Sequence, residues 1–176
     1  ITDLLDIGRI EAGYDMQMVR IRLDTLVKET CAQMDARAEE AGISLRCARP
    51  RTPLWVEGSA NRLRQVLENL IGNAIKYGRP GGWVEVTAHA NGEDAVVEVR
   101  DNGLGIPPED QARLFERFYR VHRPETADLK GTGLGLAIVK SVIAHHNGQV
   151  WVESELNEGS TFSFRLPRVD ERASGT

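Results

Sequence analysis

Asn69, Asn73 and Lys76 lie in the segment NLIGNAIKYG (residues 69–78). At about 100° per residue they fall within roughly 60° of one another on a helix. An Asn carbonyl oxygen can bind Mg²⁺, a hard cation that prefers oxygen, and a Lys ammonium can neutralise phosphate charge. A second segment, DNGLGIP (residues 101–107), puts a carboxylate just before a glycine-permitted turn. Such a carboxylate can accept a hydrogen bond from an exocyclic amine. Adenine offers one where guanine shows a carbonyl. A third, KGTGLGL (residues 130–136), is a glycine-rich loop running into a helix, whose backbone amides suit anionic oxygens. It is not a P-loop, since no Gly-Lys-Ser/Thr follows the glycines, and it is not the dinucleotide fingerprint, because its third glycine comes one residue too soon. Each segment alone has a plainer reading: a surface stripe of amides, a simple DNG turn, close helix–sheet packing. Together they supply a metal ligand, a base acceptor and a phosphate cradle, which make a site for a nucleoside triphosphate, ATP over GTP.

The elements that must position these groups follow from periodicity. Leu63, Val66, Leu67, Leu70, Ile71 and Ala74 fill the arc beside the polar strip, so a long helix capped by Ser59 runs to Tyr77 with one buried face. Residues 83–90 and 95–100 alternate and flank Asn91-Gly92, a hairpin signal. Residues 133–146 are helical and apolar nearly all round. Residues 149–154 and 161–166 read as strands joined by a turn at 157–159. Upstream, a helical stripe over 1–12 stops at Gly13, and a strand over 18–23 follows. Asp24 is positioned to cap a helix that Gly42 ends, and short strands follow at 43–47 and 54–57. Residues 108–116 suggest a short helix. Residues 117–130 have no periodicity yet carry Arg117, Arg120, Arg123 and Lys130, which suggests a lid or binding loop.

The chain has 176 residues, enough for one good core. Hydrophobic residues are 41%, charged residues 27%, and the net charge is −4 (22 basic against 26 acidic). This is ordinary for a soluble globular protein and gives no general basic surface for nucleic acid. No apolar run approaches the roughly 20 residues that span a bilayer. The chain opens inside a helical pattern without an initiator Met, and so reads as a piece of something longer. Cys31 and Cys47 are far apart in sequence and lack metal-ligand spacing, so the expectation is two reduced thiols.

The three segments, in this order, resemble the ATP-binding domain of bacterial sensor histidine kinases, in the wider group that holds DNA gyrase, a heat-shock chaperone and the mismatch-repair ATPase. The resemblance covers roughly residues 20–167. Asn69, Asn73, Lys76 and Tyr77 fall on the N box, and Asp101, Gly103 and Gly105 on the first glycine box, with Ile106 beside them. FERFYR (residues 115–120) falls on the F box. Gly131, Gly133 and Gly135 fall on the second glycine box, with Lys130, Thr132, Leu134 and Leu136 around them. Residues 159–162 match the last strand. The implied fold is α+β, a two-layer sandwich of a mixed, mostly antiparallel sheet with helices on one face (the Bergerat-type ATP-binding fold).

The resemblance also implies roles. Asn73 would bind Mg²⁺, with Asn69 supporting it or the phosphates. Lys76 would touch phosphate and Tyr77 would pack near ribose or base. Asp101 would receive the adenine amino group, with Thr161 behind it through water. Arg120 would reach the γ-phosphate, under a lid running from the F box to Gly131. The implied organisation is the end of a dimerisation helix at 1–14, the ATP-binding domain at 18–167 and a polar tail at 168–176. The implied partners are the protein's own dimerisation domain and a response regulator, with no nucleic acid. The piece would be a monomer and a cytoplasmic domain, its parent anchored in the bacterial inner membrane or soluble.

Two rival functions stay in view. A gyrase-like ATPase needs a general-base carboxylate one turn before the metal-binding Asn. That position is Asn69, and Glu68 points elsewhere on the wheel. A nucleotide sensor that no longer transfers phosphate would bind without donating. The family's phospho-accepting His is followed by an acidic residue; His89, His122, His145 and His146 are not. The expected activity is therefore donation of the γ-phosphate to a histidine on another domain. Gly58-Ser59-Ala60-Asn61 stands where relatives carry an acidic turn.

Overall fold

Val84, Val86 and Ala88 alternate with Trp83, Glu85 and Thr87, so one face of their strand is buried and the other is wet. In the computed structural model, which describes residues 2–14, 16–48, 50–121 and 133–171, this alternation runs through a five-stranded sheet. Its strands are β2 (Ser44–Cys47), β4 (Trp83–Asn91), β5 (Asp94–Asp101), β6 (Gln149–Glu155) and β7 (Gly159–Pro167), in the order β2-β4-β5-β7-β6. Only the β2–β4 pair is parallel; the other three pairs are antiparallel. β1 (Val19–Arg22) and β3 (Trp55–Gly58) form a separate antiparallel pair.

The helices α2 (Leu23–Glu40), α3 (Ala60–Lys76) and α5 (Gly135–His145) cover the apolar face of the sheet. α3 lies between α2 and α5 and presents Leu63, Val66, Leu67, Leu70 and Ile71, all buried. Each such side chain contributes about 1.5–3 kcal/mol of transfer free energy. Phe164 and Leu166 of β7 belong to the same buried core. Ser59 caps α3, its hydroxyl accepting from the Arg62 N–H at 3.3 Å. At the far end of α5, buried His146 takes the Ser59 N–H on Nε2 (3.1 Å), while its Nδ1–H donates to the Val142 carbonyl (2.7 Å). One imidazole thus joins the end of α5 to the start of α3.

α1 (Thr2–Glu11) packs against α5, burying Ile7 and Ile10 completely. Arg62 reaches from α3 to Asp6 at 2.8 Å and to the Tyr14 carbonyl at 3.3 Å. Gln65 donates to the same carboxylate, and Glu11 pairs with Arg117. Among the described residues no helix is long and apolar enough to cross a membrane.

Two local expectations are corrected. Asp24 does not cap α2, because the helix already begins at Leu23 with Arg22 at its N-cap. Its carboxylate instead accepts from the Leu54 N–H (3.1 Å) and pairs with Arg22 (2.6 Å), which ties β1 and α2 to the chain entering β3. The helix expected over 108–116 is the short α4 (Pro108–Gln111), followed by turns. Its apolar residues Leu114 and Phe115 pack as separate anchors rather than as a helical stripe.

Candidate functional site

Asn73 and Asp101, on different elements and 28 positions apart, line one cavity of about 330 Å³. The C-terminal turns of α3 bring Asn73, Lys76 and Tyr77 to it, because the helix has turned its apolar arc to the core and left this strip at the edge. The Lys76 ammonium sits 5.3 Å from the Tyr77 ring centroid, so cation and ring approach the space together.

Asp101 ends β5 and is partly buried. Burial pushes its carboxyl above the usual carboxylate range, although the backbone N–H groups of Gly103 and Ser160 hydrogen-bond it. The Gly103 bond is 2.9 Å. The turn that follows is clamped from two sides. Leu104 N–H reaches the Tyr77 carbonyl (3.3 Å), and the Leu104 carbonyl accepts from Asn157 (2.7 Å). Ile106 N–H donates to Ser154 Oγ (2.8 Å). Gly105 has φ +70°, and a Cβ there would stand 2.1 Å from the Glu155 carbonyl oxygen. Only glycine fits both that conformation and that approach.

The start of α5 forms the third wall, with Gly133, Gly135 and Leu136. Arg120 closes the space with Tyr119 and Val121. The main chain of the F-box segment is joined to the glycine loop by the Phe118 N–H to the Gly133 carbonyl (3.0 Å). Tyr119 donates to Asp110, and the Arg113 guanidinium lies 4.6 Å from its ring centroid.

Of the residues expected at the site, Asn73, Lys76, Tyr77, Asp101, Gly105, Ile106, Arg120, Gly133, Gly135 and Leu136 line this cavity. Four others do not. Asn69 is one turn back from Asn73, and its amide donates to the Gly135 carbonyl (3.3 Å), holding α3 to the start of α5. Gly103 acts through its N–H on Asp101. Leu134 is buried in the core. Thr161 pairs with Arg100 and faces the other side of the sheet. Ser160, the register partner of Asp101, lines the cavity with Phe162. Lys130, Gly131 and Thr132 lie outside the described residues, as do His122 and Arg123.

Leu104, Leu114, Ser160 and Phe162 were not anticipated as lining residues. Ser160 and Phe162 follow from strand alternation once the β5–β7 register is known. Asp3 of α1 also borders the cavity, and nothing in its local sequence marks it.

Residues 58–170 match the family described as histidine kinase-, DNA gyrase B- and HSP90-like ATPases. The chain belongs to this family. Within it, the sensor-like histidine kinase SenX3 of Mycobacterium tuberculosis is 37% identical over 172 residues, 97% of this chain and 42% of SenX3. The chain therefore spans less than half the length of that curated relative. Full-length ShkA, solved in complex with AMPPNP, superimposes with a TM-score of 0.84 at 32% identity, over 98% of this chain and 36% of ShkA. The histidine kinase ThkA, solved in complex with the response regulator protein TrrA, gives a TM-score of 0.74 at 25% identity, over 97% of this chain and 49% of ThkA. The expected α+β architecture, a mixed and mostly antiparallel sheet with helices on one face, is the one these ATPase domains share.

Proposed function

We propose that the chain is the ATP-binding catalytic part of a two-component sensor histidine kinase, which presents the γ-phosphate of MgATP to a histidine on the dimerisation domain of its parent protein. The observation that carries this reading is that Asp101, Asn73, Lys76 and Arg120 border one cavity. Asp101 sits at the partly buried end, where a carboxylate can accept the adenine amino group, with Ser160 beside it. Ile106, Phe162 and Tyr77 offer apolar walls for base and ribose. Lys76 and the backbone at Gly133 and Gly135 suit the phosphates.

The donor set fits magnesium held through a nucleotide. Among the described residues there is no cluster of three His, Cys, Asp or Glu side chains that would hold a metal alone. The Asn73 carbonyl oxygen would be a protein ligand, and magnesium would neutralise phosphate charge when bound. Phosphoryl transfer asks the chain mainly for positioning and charge compensation. Lys76 and Arg120 supply charge, and Asn69 holds α3 and α5 in register around the triphosphate. The partners of this reading are a response regulator and the protein's own dimerisation domain, to which α1 would lead.

The hydrolytic alternative is less well supported. Position 69 offers an amide already hydrogen-bonded to Gly135, and Glu68 is exposed to solvent. In the full-length kinase, Asn73→Ala should lower autophosphorylation by at least 100-fold, measured with γ-labelled ATP. Undiminished labelling would refute the metal assignment, and brisk Glu68-dependent ATP hydrolysis by this chain alone would favour the ATPase.

A further inference from the structure

Cys31 and Cys47 are distant in sequence but meet in space. Along α2, the stretch from Cys31 to the last residue, Glu40, rises about 13 Å, and the extended chain from Ile43 to Cys47 climbs about 13 Å back. The turn between is closed by the Ile43 N–H to the Ala38 carbonyl (2.9 Å). Leu45 and Cys47 are the half-buried residues of β2, whereas Ser44 and Arg46 are exposed, so Cys47 faces the helix. Cys31 is buried, and its side chain hydrogen-bonds that of Cys47. Both side chains are reduced thiols, with no disulfide between them. Neither lines the nucleotide cavity.

We propose that Cys31 and Cys47 form a redox-modification site, which a hydroperoxide closes into an intrachain disulfide that pins α2 to the edge strand β2. Cys47, the more accessible thiol, reacts first. Its sulfur attacks the peroxide, an S–O bond forms, the O–O bond breaks, and the second oxygen leaves as water or alcohol. The Cys31 sulfur then attacks the sulfenic sulfur of Cys47. The S–S bond forms, the S–O bond breaks, and the hydroxyl leaves as water with the Cys31 proton. Two thiols lose two electrons in all, and one hydroperoxide is reduced. The hydrogen bond with Cys47, then burial, hold the Cys31 thiol well above the ordinary thiol range, so it rests protonated beside its partner.

The test treats the whole chain with hydrogen peroxide and maps its peptides without reduction. The expected result is a Cys31–Cys47 linked peptide, a mass lower by two hydrogens, and a Tm higher by roughly 5 °C or more, reversed by dithiothreitol. In Cys31→Ser the reaction should stop at a sulfenic acid on Cys47, trapped by dimedone. Two thiols still titratable after treatment would overturn the proposal, as would over-oxidation of Cys47 beside a reduced Cys31, or a disulfide between chains. A link that forms but lowers Tm would overturn the pinning.

Discussion

Asp101 has an acceptor's geometry at a cost in solvation. Burial raises its pKa, and the Gly103 and Ser160 amides offset that only in part. An ionised carboxylate holds an adenine amino group more strongly than a neutral carboxyl does. ATP affinity should therefore fall as the pH drops through the raised folded value, beginning above the ordinary 3.8 of a free carboxyl. Asp101→Asn should weaken ATP binding by about 10- to 100-fold at neutral pH, the value of a hydrogen bond to a charged group. It should also remove that part of the pH dependence. Calorimetry on both proteins across the acid range checks this, and equal affinities would exclude the assigned role. That Asn73 and Asp101 belong to one cavity was legible in sequence, because the proposed metal ligand and base acceptor call for particular side chains. The same was not legible for Ser160, since local sequence does not say which of two adjacent hydroxyls shares a sheet face with Asp101.

At the scale of elements, the turn after β5 and the dock of α1 are held by different means. The turn depends on a missing side chain. Gly105→Ala would set a Cβ against the Glu155 carbonyl at positive φ, which should cost about 3 kcal/mol of stability. Urea unfolding measures it, and a loss below 1 kcal/mol would mean the turn relaxes. α1 depends on Ile7, Ile10 and the Asp6–Arg62 pair. Burial pushes the Asp6 pKa up, but hydrogen bonds from Arg62 and Gln65 outweigh it and hold the carboxyl below 3.8. That contribution is present above 3.8 and is lost as the pH falls through the folded value. Asp6→Ala leaves the Arg62 guanidinium, only 8% exposed, without its carboxylate, so it should destabilise by about 2 kcal/mol. Denaturant midpoints at pH 7 give the number. Helix periodicity marked α1 from sequence, but its seat on α5 required the fold.

For the whole molecule, the joint at His146 couples α5 to the cap of α3 and sets an acid limit. Burial lowers its pKa, more than the Val142 hydrogen bond restores, and His145 adds to the lowering. The unfolded chain takes up a proton near 6.5, and the folded chain resists it. The stabilisation from neutral His146 is complete above 6.5 and declines as the pH falls, by up to about 1.4 kcal/mol per pH unit. His146→Gln should flatten stability between pH 7.5 and 5.5, followed by urea titration; an unchanged slope would refute the coupling. Sequence alone determined the long amphipathic α3, the β4–β5 hairpin and the three polar segments, because periodicity, turn residues and ligand chemistry act over a few neighbouring positions. Tertiary structure decided the strand order, the placing of Ser160 on the cavity face, the tether from Asn69 to Gly135, and the meeting of Cys31 with Cys47. Those depend on register and on packing between distant segments, and a one-residue slip would turn every one of the strand residues to the opposite face.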